Sequence, residues 1–208
     1  MIESGARVGP ERVTRGHGLL EGYLARRRLR IAEKLIPPEL REGAVLDIGC
    51  GSYPLFLAST RFREREGIDR VPEEAQERWA EEGVRLVHRD LEADPVLPYE
   101  DGRFAAVTML AVFEHIAAEP LRVLLAEVRR VLRPGGTYVM TTPTSWAGSP
   151  LRLMSLLRLV SREEIEEHKH AYSQAEIRTL LLDAGFQPGA VRLGYFEAFM
   201  NNWAVATK

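Results

Sequence analysis

"VLDIGCGSYP", residues 45–54, sets a short apolar run against an acid, two spaced glycines and a proline. The apolar run reads as a buried strand, and Pro54 stands at the head of the following helix. Glycines at 49 and 51 let the backbone approach a ligand with no side chain in the way. A strand-to-helix turn of this kind is the natural binding crevice of an open sheet. Tight turns also use glycine for structure alone, so the loop takes its meaning from its surroundings. The question is which ligand wants a bare backbone at Gly49 and Gly51, a carboxylate at Asp47, and no amide hydrogen at Pro54.

Downstream of the loop the chain repeats strand, turn and helix. "EGID" ends a second strand at Asp69, and Pro72 opens the helix "PEEAQERWAEEG", which carries acid in its first turn and stops at Gly83. "VRLVHRD" reads as a third strand closed by Asp90, and "FAAVTML" as a fourth, apolar throughout as expected when both faces are covered. Pro120 starts a helix with Leu121, Leu124, Leu125, Val128 and Leu132 on one side, and "RPGG" ends it before the strand "TYVMTT". Ser173 and Glu176 form a capping-box signature for a helix that stops at Gly185. The last segment, "AVRLGYFEAFMNNWAVATK", reads as two strands joined by Met200-Asn201-Asn202, and so closely connected a pair should be antiparallel. The fold class is α/β, a doubly wound and mostly parallel sheet with helices on both faces and a C-terminal antiparallel hairpin.

Upstream, residues 1–18 are a polar lead-in, after which Leu20, Leu24, Ile31 and Leu35 recur at helical spacing until Pro37-Pro38. Residues 1–43 are thus an N-terminal cap region. Its run Arg26-Arg27-Arg28 is expected on a solvated helix face rather than in a phosphate site.

A chain of 208 residues is long enough for one well-buried domain, expected to span 1–208. With 45% hydrophobic and 28% charged residues it is globular rather than disordered, and a net charge of -2 argues against nucleic acid as a partner. The single cysteine, Cys50, has no internal disulfide partner. No apolar run approaches a membrane span, which argues against integral membrane association, and the N-terminus lacks the apolar core of a secretory signal. A cytoplasmic location is the expectation.

Asp47, Asp69 and Asp90 fall at the same end of three successive strands and line one rim of the sheet. Asp69 follows the glycine loop by roughly twenty residues, the offset at which an acid meets ribose hydroxyls. A dinucleotide would bring a pyrophosphate that wants free amides at the helix N-terminus, and Pro54 offers none. S-adenosylmethionine has no phosphate but carries a sulfonium and an ammonium, both positive, and an acid-lined rim suits it.

These residues resemble the class I S-adenosylmethionine-dependent methyltransferases, in particular the small-molecule group typified by ubiquinone and menaquinone biosynthesis enzymes. "VLDIGCG" resembles that family's first motif, "GID" its ribose-binding strand end, and "RDLEADPVLPYEDGRFAAVTMLAVFEHI" its adenine contact and fourth strand. "EVRRVLRPGGTYVMTTP" and "HAYSQAEIRTLLLDAGF" resemble later segments. The resemblance implies seven strands in the order 3-2-1-4-5-7-6 and S-adenosyl-L-methionine as cofactor. It places Gly49 and Gly51, with Cys50 between them, beside the methionine part and Asp47 near its ammonium. Asp69, followed by Arg70, would hold the ribose, Asp90 would accept from the adenine amino group, Leu91 would cover the ring, and Leu110 would line the methionine side. Two departures stand out: Tyr53 replaces a common third glycine and either leans over the cofactor or blocks part of its usual path, and Ala105 replaces a common Asp.

The expected chemistry is methyl transfer to a small, partly apolar acceptor by in-line displacement, which mainly needs the acceptor held behind the methyl. No catalytic residue is assigned, but His115 and His168 are candidate bases for a hydroxyl acceptor. Relatives with a Glu-x-x-Glu-His run bind a metal. Here Ala111 stands at the first Glu position, so no metal is expected. Residues 144–172 form an insertion with Arg152, Ser155, Arg158 and Arg162 on one stripe, read as a lid over the acceptor, with a dimer contact or buried core as alternatives. Two rival functions remain in view: an NAD(P)-dependent oxidoreductase of Rossmann type, and a cofactor-binding module without turnover.

Overall fold

The computed structural model describes residues 21–144 and 172–208. Helix α1 (Glu21–Leu35) leads through a 3-10 turn into β1 (Ala44–Ile48), followed by α2 (Leu55–Ser59), β2 (Glu64–Asp69), α3 (Glu73–Glu81) and β3 (Arg85–His88). Then come β4 (Phe104–Leu110), α4 (Ala118–Val131), β5 (Leu132–Pro143), α5 (Gln174–Asp183), β6 (Val191–Phe196) and β7 (Asn201–Thr207). The seven strands form one sheet in the order β3-β2-β1-β4-β5-β7-β6, the order expected from the family resemblance. β1 to β5 are parallel, and β7 runs antiparallel to both β5 and β6.

Two apolar layers hold helices on either face. Leu46, Ile48, Val107, Met109, Tyr138 and Met140 meet Leu121, Leu124 and Val128 of α4 and Ile177 and Leu181 of α5. Val45, Leu86, Ala106, Val139 and Val205 point the other way, against Ala32 of α1, Phe56 and Leu57 of α2 and Trp79 of α3. Alternation along buried strands puts successive side chains in different layers, which is why the strand sequences read as continuous apolar runs. The Ser173 capping box of α5 forms as expected, with the Glu176 amide donating to Ser173 Oγ and the Ser173 amide to Glu176 Oε2.

The structure departs from the sequence reading at four places. β5 begins at Leu132, not after "RPGG". Phe104 pairs with Leu132 but Ala106 with Thr137, so the glycines form a bulge within the strand. The fourth strand is not apolar throughout, because Thr108 sits fully buried in it. The final hairpin is joined by residues 197–200, and Asn201 and Asn202 are the buried first residues of β7. That turn holds Glu197, Ala198 and Phe199 at φ of 52°, 51° and 66°, a left-handed run without glycine, costing about 1–2 kcal/mol per residue. Turn signals depend on glycine or asparagine at such positions, so this one left no trace. Finally, Arg26 is exposed as expected, but Arg27 Nε lies 3.8 Å from Glu197 Oε1. The lid reading, with Arg152, Ser155, Arg158, Arg162 and His168, falls on residues 145–171, outside the described residues.

Candidate functional site

The strand order reverses between β1 and β4, so the crevice beyond their carboxyl ends is the switch point at which open α/β sheets hold ligands. The loop after β1 opens there. Gly49 (φ 75°) donates its amide to Ile68 O at 2.9 Å, and Gly51 (φ 65°) donates to Asp69 Oδ2 at 2.8 Å. Asp69 Oδ1 also accepts from the Arg70 amide at 2.7 Å. The acid at the end of β2 is therefore tied to the glycine loop.

The two glycines serve different ends. A Cβ on Gly49 would stand 2.3 Å from Val112 Cγ2, so its missing side chain makes room for the segment after β4. A Cβ on Gly51 would meet nothing closer than the Tyr53 amide at 4.0 Å. The free space expected beside both glycines thus lies beside Gly51 alone. Gly49→Ala is expected to lower the melting temperature by about 6–12 °C, from a clash and strain of roughly 3 kcal/mol in a domain of this size. Gly51→Ala should lower it by less than half as much and act instead on cofactor affinity. Thermal unfolding and calorimetric titration of the two variants separate these effects.

Asp47 is buried, with 5% of its surface exposed, and accepts from Thr108 Oγ1 at 2.6 Å. Burial pushes its carboxyl up to about 7; the Thr108 bond opposes this and neighbouring Asp69 adds to it. Asp90, two residues past β3, accepts from the amides of Ala93 and Glu92, which hold its carboxyl below the usual range. Arg70 Nη1 stands 3.7 Å from Asp90 Oδ2 and bridges the second and third acids of the rim. Leu91 is buried beneath this turn, and Leu110 is the last residue of β4.

Tyr53 packs edge-on against Trp79 of α3, ring centroids 5.3 Å apart, and Trp79 Nε1 donates to Ser52 O at 3.0 Å. The ring that replaces a common glycine is thus seated on the α3 layer and fastens the loop to it. The Cys50 side chain is buried, and its sulfur occupies the place a Cβ on Gly67 would need, at 2.6 Å. Of residues 49–51, Cys50 therefore turns its side chain into the core. His115 ends a 3-10 turn, its amide donating to Val112 O at 2.9 Å, while buried Glu114 accepts from Thr142 Oγ1. Ala111, just before this turn, has φ of 57°. Sequence reasoning missed Thr108, Val112 and Trp79. Only Thr108 had a visible signal, a hydroxyl inside an otherwise apolar strand.

A mostly parallel sheet of this order, with a glycine loop and acids at the carboxyl edge of its switch point, defines a doubly wound α/β protein with its ligand crevice beyond β1 and β4. A sequence model for the "Methyltransferase domain" family matches residues 18–190. The chain belongs to that family, within the class I S-adenosylmethionine-dependent methyltransferases, and S-adenosylmethionine is its cofactor. It is 26% identical over 172 residues to a ubiquinone biosynthesis O-methyltransferase of Xanthomonas axonopodis, covering 79% of this chain and 71% of that one. Of three other curated relatives, 30–32% identical, the chain spans only 36–43% of the length. A SAM-dependent methyltransferase from Archaeoglobus fulgidus has the same fold, with TM-score 0.66, 18% identity and coverage of 89% and 94% of the two chains. So does a Haemonchus contortus phosphoethanolamine N-methyltransferase solved with S-adenosylhomocysteine, with TM-score 0.63, 16% identity and coverage of 88% and 53%.

The residues present fit this cofactor. The space beside Gly51 admits a group against the backbone, Asp69 sets an acceptor at the end of β2 next to it, and buried Asp47 is more stable as a carboxylate beside a cation than alone.

Proposed function

We propose that this protein moves a methyl group from S-adenosylmethionine to a small, partly apolar acceptor, acting as a single domain in the cytoplasm. Asp69 would hold the ribose hydroxyls while keeping Gly51 in place, and Asp90 and Leu91 would receive the adenine. Asp47, oriented by Thr108, would face the ammonium at the methionine end, with Leu110 beside it. The bound cofactor would supply an electrophilic methyl on a sulfonium, whose sulfur leaves as a neutral thioether.

What remains for the protein is to exclude water and to align the acceptor behind that methyl. A hydroxyl acceptor would need its proton removed, and His115, in the 3-10 turn after β4, would be the base. The observation that carries the reading is the bond from the Gly51 amide to Asp69, because it joins the open glycine to the diol-binding acid in one unit.

Calorimetric titration should show S-adenosylhomocysteine binding at micromolar concentrations and no binding of NAD or NADP. Tighter binding of either dinucleotide would replace the reading with that of an oxidoreductase. Labelled methyl from the cofactor should reach one member of a broad set of phenols, amines and acids. Cofactor binding without any transfer would favour a module without turnover.

A further inference from the structure

On the face of the sheet covered by α1, polar groups continue away from the cofactor edge. Asp47 pairs in register with Thr108, Leu110 with Thr141, and Thr141 with Trp203, so these residues share one face, and Asn201 lies two residues from Trp203 on the same side. The row ends at the left-handed turn, where Asn201 Nδ2 donates to Glu197 Oε2 at 2.7 Å. The Glu197 side chain is only 6% exposed, and its other oxygen has no hydrogen bond, only the Arg27 Nε at 3.8 Å. The buried Nε atoms of Arg27 and Arg28, and buried Thr141 Oγ1, also lack hydrogen-bond partners.

This cluster is not built as a structural ion pair. Among the described residues the charges of Arg28 and Arg27 act on one carboxylate, Glu197, which burial pushes up toward its neutral form against their pull and the Asn201 hydrogen bond. Among the described residues the balance is positive, in a partly buried place where a charge without a partner is costly. Glu197 itself and the two residues after it are left-handed, and strain of this kind collects at ligand sites. The exposed rings of Tyr195 and Phe199, in edge contact at 5.5 Å, flank the same turn.

We infer that the acceptor carries an anionic group, a carboxylate or a phosphate, which docks between Arg27 and Arg28 of α1 and the β6–β7 turn. The β6–β7 turn lies two to three strand spacings from β4, so this group sits roughly 10–15 Å from the edge where the methyl is delivered. The acceptor atom reaches the methyl along the row of Thr141 and Leu110, and the anion sets its register. This rests on the methyl-transfer reading.

The test titrates the complex with S-adenosylhomocysteine with three probes of similar size: 3-phenylpropanoate, phenethyl phosphate and uncharged 3-phenylpropanamide. At least one anion should bind tenfold or more tighter than the amide, and the tighter anion tells carboxylate from phosphate. The double variant Arg27→Gln, Arg28→Gln should reduce that preference to within twofold while keeping S-adenosylhomocysteine affinity. Glu197→Gln removes the competing carboxylate and should raise anion affinity threefold or more, whereas a purely structural pair would show lost stability and no gain. The inference is overturned if neither anion exceeds the amide, including the case in which no probe binds, or if the double variant keeps the preference. Failure of S-adenosylhomocysteine itself to bind would instead overturn the methyltransferase reading.

Discussion

Asp69→Ala is expected to weaken S-adenosylhomocysteine binding by about 100-fold or more in a protein that still folds. Hydrogen bonds to a charged group contribute about 1.5–3 kcal/mol each, and a ribose diol would make two of them to this carboxylate. The side chain does a second job: its Oδ2 accepts from the Gly51 amide at 2.8 Å, and its Oδ1 from the Arg70 amide at 2.7 Å. Removing it therefore also frees the glycine loop, so some of the loss arises before any ligand enters. Asp69→Asn keeps one acceptor oxygen and should lose only about tenfold. Calorimetry on both variants, with melting temperatures as a control for folding, tests this. A loss below threefold in Asp69→Ala would remove the rim from the binding site.

Affinity for the cofactor should also depend on pH through Asp47, whose burial pushes its carboxyl up to about 7. In the free protein the native state keeps a proton that the unfolded chain has already lost. Stability therefore falls as pH rises from about 4 to about 7 and is level above that, a decline of order 4 kcal/mol at most. A cationic ligand reverses the preference, because it selects the ionised form. At pH 5.5 only about one Asp47 in thirty is ionised, so S-adenosylhomocysteine should bind about 30-fold more weakly than at pH 8. Binding near pH 6.5 should release a proton, seen as a difference in heat between buffers of different ionisation enthalpy. Asp47→Asn should bind weakly at every pH and lose the acid-side gain in stability. Unchanged affinity between pH 5.5 and 8 would separate Asp47 from the ammonium.

Much of the fold was legible because its signals are local. Pro54 and Pro72 cap α2 and α3, Ser173 and Glu176 build the α5 box, and Gly83 and Gly185 take the left-handed conformation after their helices. The carboxyl-edge acids were legible for the same reason, since a parallel sheet puts the ends of successive strands on one rim. The misreadings arose where a residue's role depends on a distant partner. Gly49 reads as room for a ligand, but Val112, 63 positions later, fills that room. Tyr53 reads as leaning over the cofactor or blocking part of its path, and its seat on Trp79, 26 positions later, has no signal in the loop itself. The hairpin was placed three residues late because Glu197, Ala198 and Phe199 adopt a conformation that their side chains disfavour.

Residue order along this chain was enough to set the succession of elements, the class of sheet and the line of acids, because each follows from short-range sterics and apolar spacing. Which faces those acids see, how strongly Asp47 holds its proton, and why Arg27 lies against Glu197 emerged only when elements far apart in the chain came together. Dielectric, burial and the number of partners around a charge belong to the packed assembly and have no counterpart in a window of sequence.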